Sequence, residues 1–245
     1  MLAMIVFIAA AVTFPAAAPG LLEVQQAAGG ARPGLVLPAR RAPDAAPAEP
    51  PALPTAAARI PPLTIAMSIV RPSASGSAIA QTVSRTPDRI HVSAVNGREW
   101  LFEQDGGDPR RAAGFMIDHA SRTIVLYAES DLRMLAGLRG WLDVLLLGFD
   151  LEALGRCTLT RDRQTIGAAR FTRCAPTEAV TPSPDVWWSE DHLLAREIVS
   201  VDRTVPTRSR IVGVRSGVDR SLLEPASARF PAYRGVPAAD WLEHR

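Results

Sequence analysis

Four histidines, His91, His119, His192 and His244, and two cysteines, Cys157 and Cys174, are the residues of this chain best equipped for chemistry. Asp118-His119 and Asp191-His192 are adjacent pairs, each in a predicted turn. Neighbours along a strand point to opposite faces, so adjacency does not make an acid–base dyad. The chain has no HExxH, no GxSxG, no phosphate-cradling glycine loop and no CxxC. A zinc site from His119, His192 and a carboxylate has no motif behind it. Both pairs therefore read as surface turn residues, and neither catalysis, a metal nor a cofactor is expected.

An even pair of cysteines reads as one disulfide, Cys157–Cys174, if the chain is exported; two buried free thiols would fit a cytosolic protein. A bond directly across a symmetric hairpin would put the turn at Thr165-Ile166, a poor turn sequence. Either a bulge shifts the register or the cysteines sit diagonally.

Binding is better motivated than catalysis. The stretch Asp131–Phe149 carries, in its second half, one charge (Asp143) among Trp141, Leu142, Val144, Leu145, Leu146, Leu147 and Phe149. A helix apolar on nearly every face has no side left for water and is buried. If such a helix lies in the hollow of a curved sheet and can shift, it leaves an apolar cleft. Trp100, Phe102, Phe115, Trp141, Leu145, Phe149 and Trp187 would line it. The competing reading is that these side chains are simply core, as aromatics between sheet and helix usually are.

The elements that position these residues follow from periodicity. Leu63–Val70, Ser77–Arg85, Asp88–Val95 and Arg98–Glu103 read as strands, the last two joined through Asn96-Gly97 as a type I′ hairpin. In the returning strand Trp100 and Phe102 share one face, with Glu99, Leu101 and Glu103 on the other. Gly114–Asp118 and Thr123–Ala128 make a second pair. Ser130 is placed to cap the helical region, which Gly137 and Gly140 divide into Asp131–Leu138 and Gly140–Gly148. Cys157–Arg161 and Gln164–Cys174 form a hairpin with Arg-Asp-Arg at the turn. After the loop Thr181–Asp185 come strands Val186–Ser189, Ala195–Asp202 and Ser209–Val218. A loose proline-containing tail follows, ending in a short helix at Ala238–His244.

Composition sets the frame. All 27 basic residues are arginine and the net charge is only +2, which gives no concentrated basic face for nucleic acid. Arg208, Arg210, Arg215 and Arg220 cluster late in the chain and read as solvated strand ends. Residues 1–18 are uncharged and apolar, ending in Ala16 and Ala18: a secretory signal peptide with an A-x-A site, though no basic residue precedes the run. Interrupted at Pro15, the run is shorter than the roughly 20 residues that span a bilayer. Residues 19–60, rich in Ala and Pro, read as a disordered linker. Residues 61–220 form the folded domain and 221–245 a C-terminal tail.

The runs DRIHVSAVNGREWLFE, GFMIDHASRTIVLY, RCTLTRDRQTIGAARFTRC and VWWSEDHLLAREIVSVD, with a helical insertion after the second, carry a resemblance. Asp88-Arg89, Ile117-Asp118, Ile166-Gly167 to Cys174, and Val186-Trp187 to Leu194-Arg196 are the matching steps. Over residues 63–215 the chain resembles uncharacterised periplasmic families related to the LolA/LolB lipoprotein-carrier superfamily. The resemblance implies an incomplete β-barrel with helices plugging a hydrophobic cavity, which in the carriers takes lipoprotein acyl chains. No functional residue of the carriers has a matching position here, and the long linker departs from a freely diffusing carrier.

The expected fold is therefore α+β: a curved antiparallel sheet of about ten strands around a buried helical insertion. The expected function is that of a periplasmic or secreted cell-envelope protein, membrane-proximal at most, that binds a lipid, a lipoprotein acyl chain or an envelope protein. The rivals are a structural module with a solid core that binds another protein, and a metal-dependent hydrolase.

Overall fold

Period-two alternation of apolar residues sets the sheet. In a computed structural model, residues 59–70, 78–93, 97–108, 110–136, 138–176, 186–202 and 205–243 are described. Residues 1–58, Asn96, Gly137, the 181–185 loop and His244, each named above, lie outside them.

The first six strands are β1 (Leu63–Val70), β2 (Ala78–Arg85), β3 (Arg89–Val92), β4 (Arg98–Gln104), β5 (Ala112–Asp118) and β6 (Thr123–Tyr127). Three short helices follow: α1 (Glu129–Ala136), α2 (Trp141–Leu145) and α3 (Glu152–Gly155). Then come β7 (Cys157–Ile166), β8 (Ala169–Pro176), β9 (Val186–Ser189), β10 (Leu194–Ala195), β11 (Glu197–Asp202) and β12 (Val205–Ser216). The chain ends in α4 (Ala226–Arg229), β13 (Arg234–Pro237) and α5 (Ala238–Glu243). The described strands thus exceed the ten or so expected, because the predicted strand Ala195–Asp202 is divided and the C-terminal segment supplies another.

The strands form a nine-stranded sheet, β11-β12-β1-β2-β3-β4-β5-β6-β13, and a four-stranded one, β10-β9-β8-β7. Arg196 joins them. Its amide donates to Trp187 O (2.9 Å) in the small sheet, and its carbonyl accepts from Ile211 N (2.8 Å) in the large one. The two sheets are open and consecutive, a curved wall with free edges and not a closed barrel.

The β3–β4 register corrects the Asn-Gly turn. A two-residue turn at Asn96-Gly97 would set Val92 opposite Leu101. Instead Val92 faces Trp100 and Ile90 faces Phe102, which puts all four side chains on the buried face. A one-residue slip would turn one strand's apolar set outward, and burial decides against it.

The β7–β8 hairpin also turns later than expected. Ile166 pairs with Ala169 across Gly167-Ala168, and Arg161–Arg163 lie within β7. A bulge between Leu159 and Arg163 shifts the register, so Leu159 faces Cys174 and Cys157 lies diagonal to it. The Cys157–Cys174 disulfide forms with Cα atoms 5.4 Å apart; bulge and diagonal are both used. Gly167 is the glycine this arrangement demands. Its φ is +57°, and a Cβ there would lie 1.9 Å from Val214 O, while the next amide, Ala168 N, donates to that same carbonyl (2.8 Å).

The helices start and stop differently from the sequence reading. Asp131, not Ser130, serves the first turn of α1, its carboxylate accepting from Ala128 N (2.9 Å). α2 ends at Leu145, because Leu147 (φ 57°) and Gly148 (φ 77°) take left-handed backbone. Trp141, Leu145, Leu146 and Leu147 are buried in one core with Met67, Val92, Phe102 and Phe171. On the opposite face Leu101, Ile117 and Ile124 are covered by Leu223 and Ala226. The C-terminal residues are thus not loose: they cover this outer face and add β13 parallel to β6.

Candidate functional site

β2 places three side chains on the inner face at alternate positions: Gln81, Val83 and Arg85, all buried. Arg85 is only 1% exposed. Its Nη1 donates to the carbonyls of Leu145 (2.8 Å) and Leu193 (3.2 Å), and its Nη2 to the carbonyl of His192. Burial pushes the guanidinium down to about 9, which leaves it charged at neutral pH. A buried charge is tolerated when hydrogen bonds replace its water, and here backbone oxygens of two separate segments do so.

The turn after β2 holds the same helical segment a second time. Trp141 Nε1 donates to Pro87 O (2.7 Å), so residues 85–87 grip both ends of α2. A third bond, from Arg139 N to the Asp143 carboxylate (2.8 Å), fixes the entry to α2. Between this segment and β3–β4 lies a small, partly open space of about 10 Å³, room for about one water. Ile90, Val92, Phe102, Leu138, Val144 and Leu147 line it together with Asp143 and Gly148.

The loop contributed by β9 carries His192. Its Nδ1 lies 3.1 Å from Ser189 Oγ. Burial lowers this imidazole below its ordinary value; Asp191 works against that shift and the Arg85 charge adds to it. Leu193 there has a φ of 45°, a left-handed backbone held by the Arg85 bond to its carbonyl.

A second polar cluster lies on the outer face. Glu99 contacts His91 Nε2 (2.6 Å), Arg229 Nη2 (3.0 and 3.2 Å) and His119 Nε2 (3.5 Å), and Tyr233 OH is 3.1 Å from His119 Nδ1. Burial acts to raise the Glu99 carboxyl, but His91 and Arg229 outweigh it and hold it below its usual range. The cluster fastens the C-terminal segment to β4.

No family model matches the sequence, and no curated protein is similar to it. The fold does have likenesses among solved structures. An uncharacterised conserved protein from Thermus thermophilus matches at TM-score 0.39 and 7% identity, over 72% of this chain and 90% of that one. A Pseudomonas aeruginosa MucA/MucB complex matches at TM-score 0.36 and 12% identity, over 71% of this chain and 59% of that one. A LolA-superfamily protein from Nitrosomonas europaea matches at TM-score 0.22 and 7% identity, over 68% and 91%.

Of the residues expected to line a cleft, Trp100, Phe102, Trp141, Leu145 and Phe149 come together in the main core. Trp100 stacks on Phe102 at 5.7 Å, and Phe149 on Trp188 at 5.5 Å. Trp187 is half-buried at the margin, with the Arg196 guanidinium 5.8 Å from its ring centre. Phe115 is on the other side: it pairs with Leu101 and packs in the outer cluster. His119 and His192 are likewise separated, one beside Tyr233 outside and one beside Arg85 inside. Sequence reasoning missed Arg85. Its signal was its position, two residues beyond Val83 on the same face, but a lone arginine at a strand end ordinarily reads as solvated.

Proposed function

We propose that this protein is a non-catalytic, exported binding protein that accepts the apolar part of a lipid between the 138–149 segment and β3–β4. The observation that carries the reading is Arg85. One buried side chain fastens two separate elements, the helical segment at Leu145 O and the His192-Leu193 turn, to the inner wall. Hydrogen bonds from a charged donor are worth about 1.5–3 kcal/mol each and are exchangeable, so such a fastening can be released, whereas an all-apolar contact offers no single release point. The small, partly open space beside Val144 and Leu147 is where the separation would start. Export is supported by the disulfide.

A second reading, a solid-core envelope module that binds another protein, is favoured by how little space that interior leaves. Native mass spectrometry after mild extraction from the producing cell separates the two. The binding reading expects a folded protein carrying an acyl-chain adduct, with Arg85→Met changing its occupancy. Bare protein in both wild type and a folded Arg85→Met would overturn it in favour of the solid core.

A further inference from the structure

The outer face of the large sheet is covered over one half only. Over β3–β6 lies the C-terminal cover, with Leu223 and Ala226 packed on Leu101, Ile117 and Ile124. To reach that half, residues 217–223 cross the other half at one end. Gly217 O accepts from Thr64 Oγ1 (2.9 Å), and Leu223 O accepts from Arg89 Nη1 (2.7 Å). Ser84, paired with Thr64 at this crossing, is buried, whereas Thr82, Ala80 and Ala78 on the same face of β2 are exposed. Beyond the crossing the face is bare among the described residues. Its floor is Ala66, Ser68, Ala80 and Thr82, all short side chains, and Val70, Val199 and Val212 are exposed beside them.

β12 raises a row of charge along this floor. Arg208, Arg210 and Arg215 are exposed and stand opposite Val70, Ser68 and Thr64 of β1. They lie within β12 on one face, not at the solvated strand ends that the sequence suggests. Glu197 of β11 bonds Arg208 (2.8 Å), and among the described residues Arg210 and Arg215 form no ion pair. The crossing adds Arg220 and Asp219, and Asp219 is already bonded to Ser221. The face is therefore positive. By the β1 register Arg210 and Arg215 lie two and six strand positions from Arg208, about 7 and 20 Å. Glutamates at i, i+4 and i+12 of a helix match that row at about 6 and 18 Å.

We infer that this face takes an acidic helical segment of another protein, its glutamates along Arg208, Arg210 and Arg215 and its small apolar residues on Ala66, Ser68 and Ala80. Charge and area favour that occupant over the others. The bare area, four strands wide, is about 400 Å², half of the roughly 800 Å² that a stable dimer takes from each partner. A second copy would also set arginine against arginine. Residues 19–58 carry Glu23, Asp44 and Glu49 against Arg32, Arg40 and Arg41, so they bring no negative surplus. A bilayer is flat, whereas the crossing and the C-terminal cover stand above this face on two sides. The covered half shows the same logic with the signs exchanged: there the sheet supplies Glu99 and the cover supplies Arg229 (3.0 Å). The inference does not rest on the lipid reading, because this face lies on the other side of the sheet from the 138–149 segment.

The test titrates the full chain at low salt into a fluorescent helical peptide of about 16 residues, about 24 Å long. The peptide carries glutamate at every fourth position with alanine and leucine between; a second peptide has lysine for glutamate. Wild type is expected to bind the acidic peptide and not the basic one, more weakly as salt is added. Affinity is expected to fall about tenfold or more in Arg210→Glu/Arg215→Glu. Arg110→Glu/Arg122→Glu makes the same charge change at exposed loop sites and is expected to bind like wild type. Absence of binding by wild type, equal binding of both peptides, or equal loss in both double variants overturns the inference. Phosphatidylglycerol vesicles are run in parallel. If they bind wild type and Arg210→Glu/Arg215→Glu abolishes it, the face meets a membrane and the inference falls. Amide shift changes in wild type, expected at 64–82 and 208–215, locate the site even if a variant does not fold; changes elsewhere overturn it.

Discussion

Arg85 Nη1 lies 2.8 Å from the carbonyl oxygen of Leu145, sixty positions away in sequence. This bond ties the end of an inner strand to the end of α2, and the first prediction concerns it. Arg85→Met keeps the side-chain volume and removes the donors. We expect amide hydrogen exchange across 141–149 to rise by tenfold or more, while β1, β4 and β12 keep their protection. The lost bonds, about 1.5–3 kcal/mol each, are partly offset by relief of a buried charge. Unchanged exchange in the segment would show that Arg85 does not hold it.

Leu145 is fully buried and Trp141 is 2% exposed. Leu145→Asp leaves an unpaired charge in the core, and Trp141→Ala leaves a cavity and an orphaned Pro87 carbonyl. Each is expected to cost about 3–5 kcal/mol. Thermal melts read the effect directly, and wild-type-like melting of both variants would remove the segment from the core.

Gly167 meets Val214 backbone with no room for a methyl group. Gly167→Ala is expected to destabilise by about 1–3 kcal/mol through left-handed strain and loss of the Ala168–Val214 bond. Denaturant titration measures this; a neutral outcome would mean the hairpin tip does not dock on β12.

Glu99 provides the pH dependence. Its folded carboxyl sits below the ordinary 4.5, despite burial, because of His91 and Arg229. A depressed carboxyl contributes stability that is present above its unfolded value and is lost as pH falls through its folded value. Acid titration of wild type should therefore show the C-terminal segment loosening below about pH 4.5, with Glu99→Gln lacking that component. Tyr233 fluorescence, in a variant background without competing signal, or exchange at 226–236 reports it. Identical acid curves for the two proteins would refute the assignment.

The strands of this protein were legible because a period of two writes itself into Leu63, Ile65, Met67 and Ile69. In the apolar run after Gly140, Trp141, Val144–Leu147 and Phe149 are buried while Leu142, Asp143 and Gly148 are half-buried, and only Trp141–Leu145 is helical. The disulfide pairing and its need for a bulge or a diagonal were legible too. Phe115 and Arg85 were not. Phe115 lies in an apolar run where parity alone does not say which face is inner; its pairing with Leu101 decides that. The outer face was misjudged for the same reason: Leu101, Ile117 and Ile124 need a cover, and the cover comes from residues about a hundred positions later.

What the sequence by itself determined is which side chains share a face and which segment must avoid water, since both depend on neighbours within a few residues. Only the tertiary structure decided that Arg85, Gln81 and Ser209 face inward and what Arg85 holds there. Strand pairing and the carbonyls of distant turns set those relationships, and local periodicity carries no record of either.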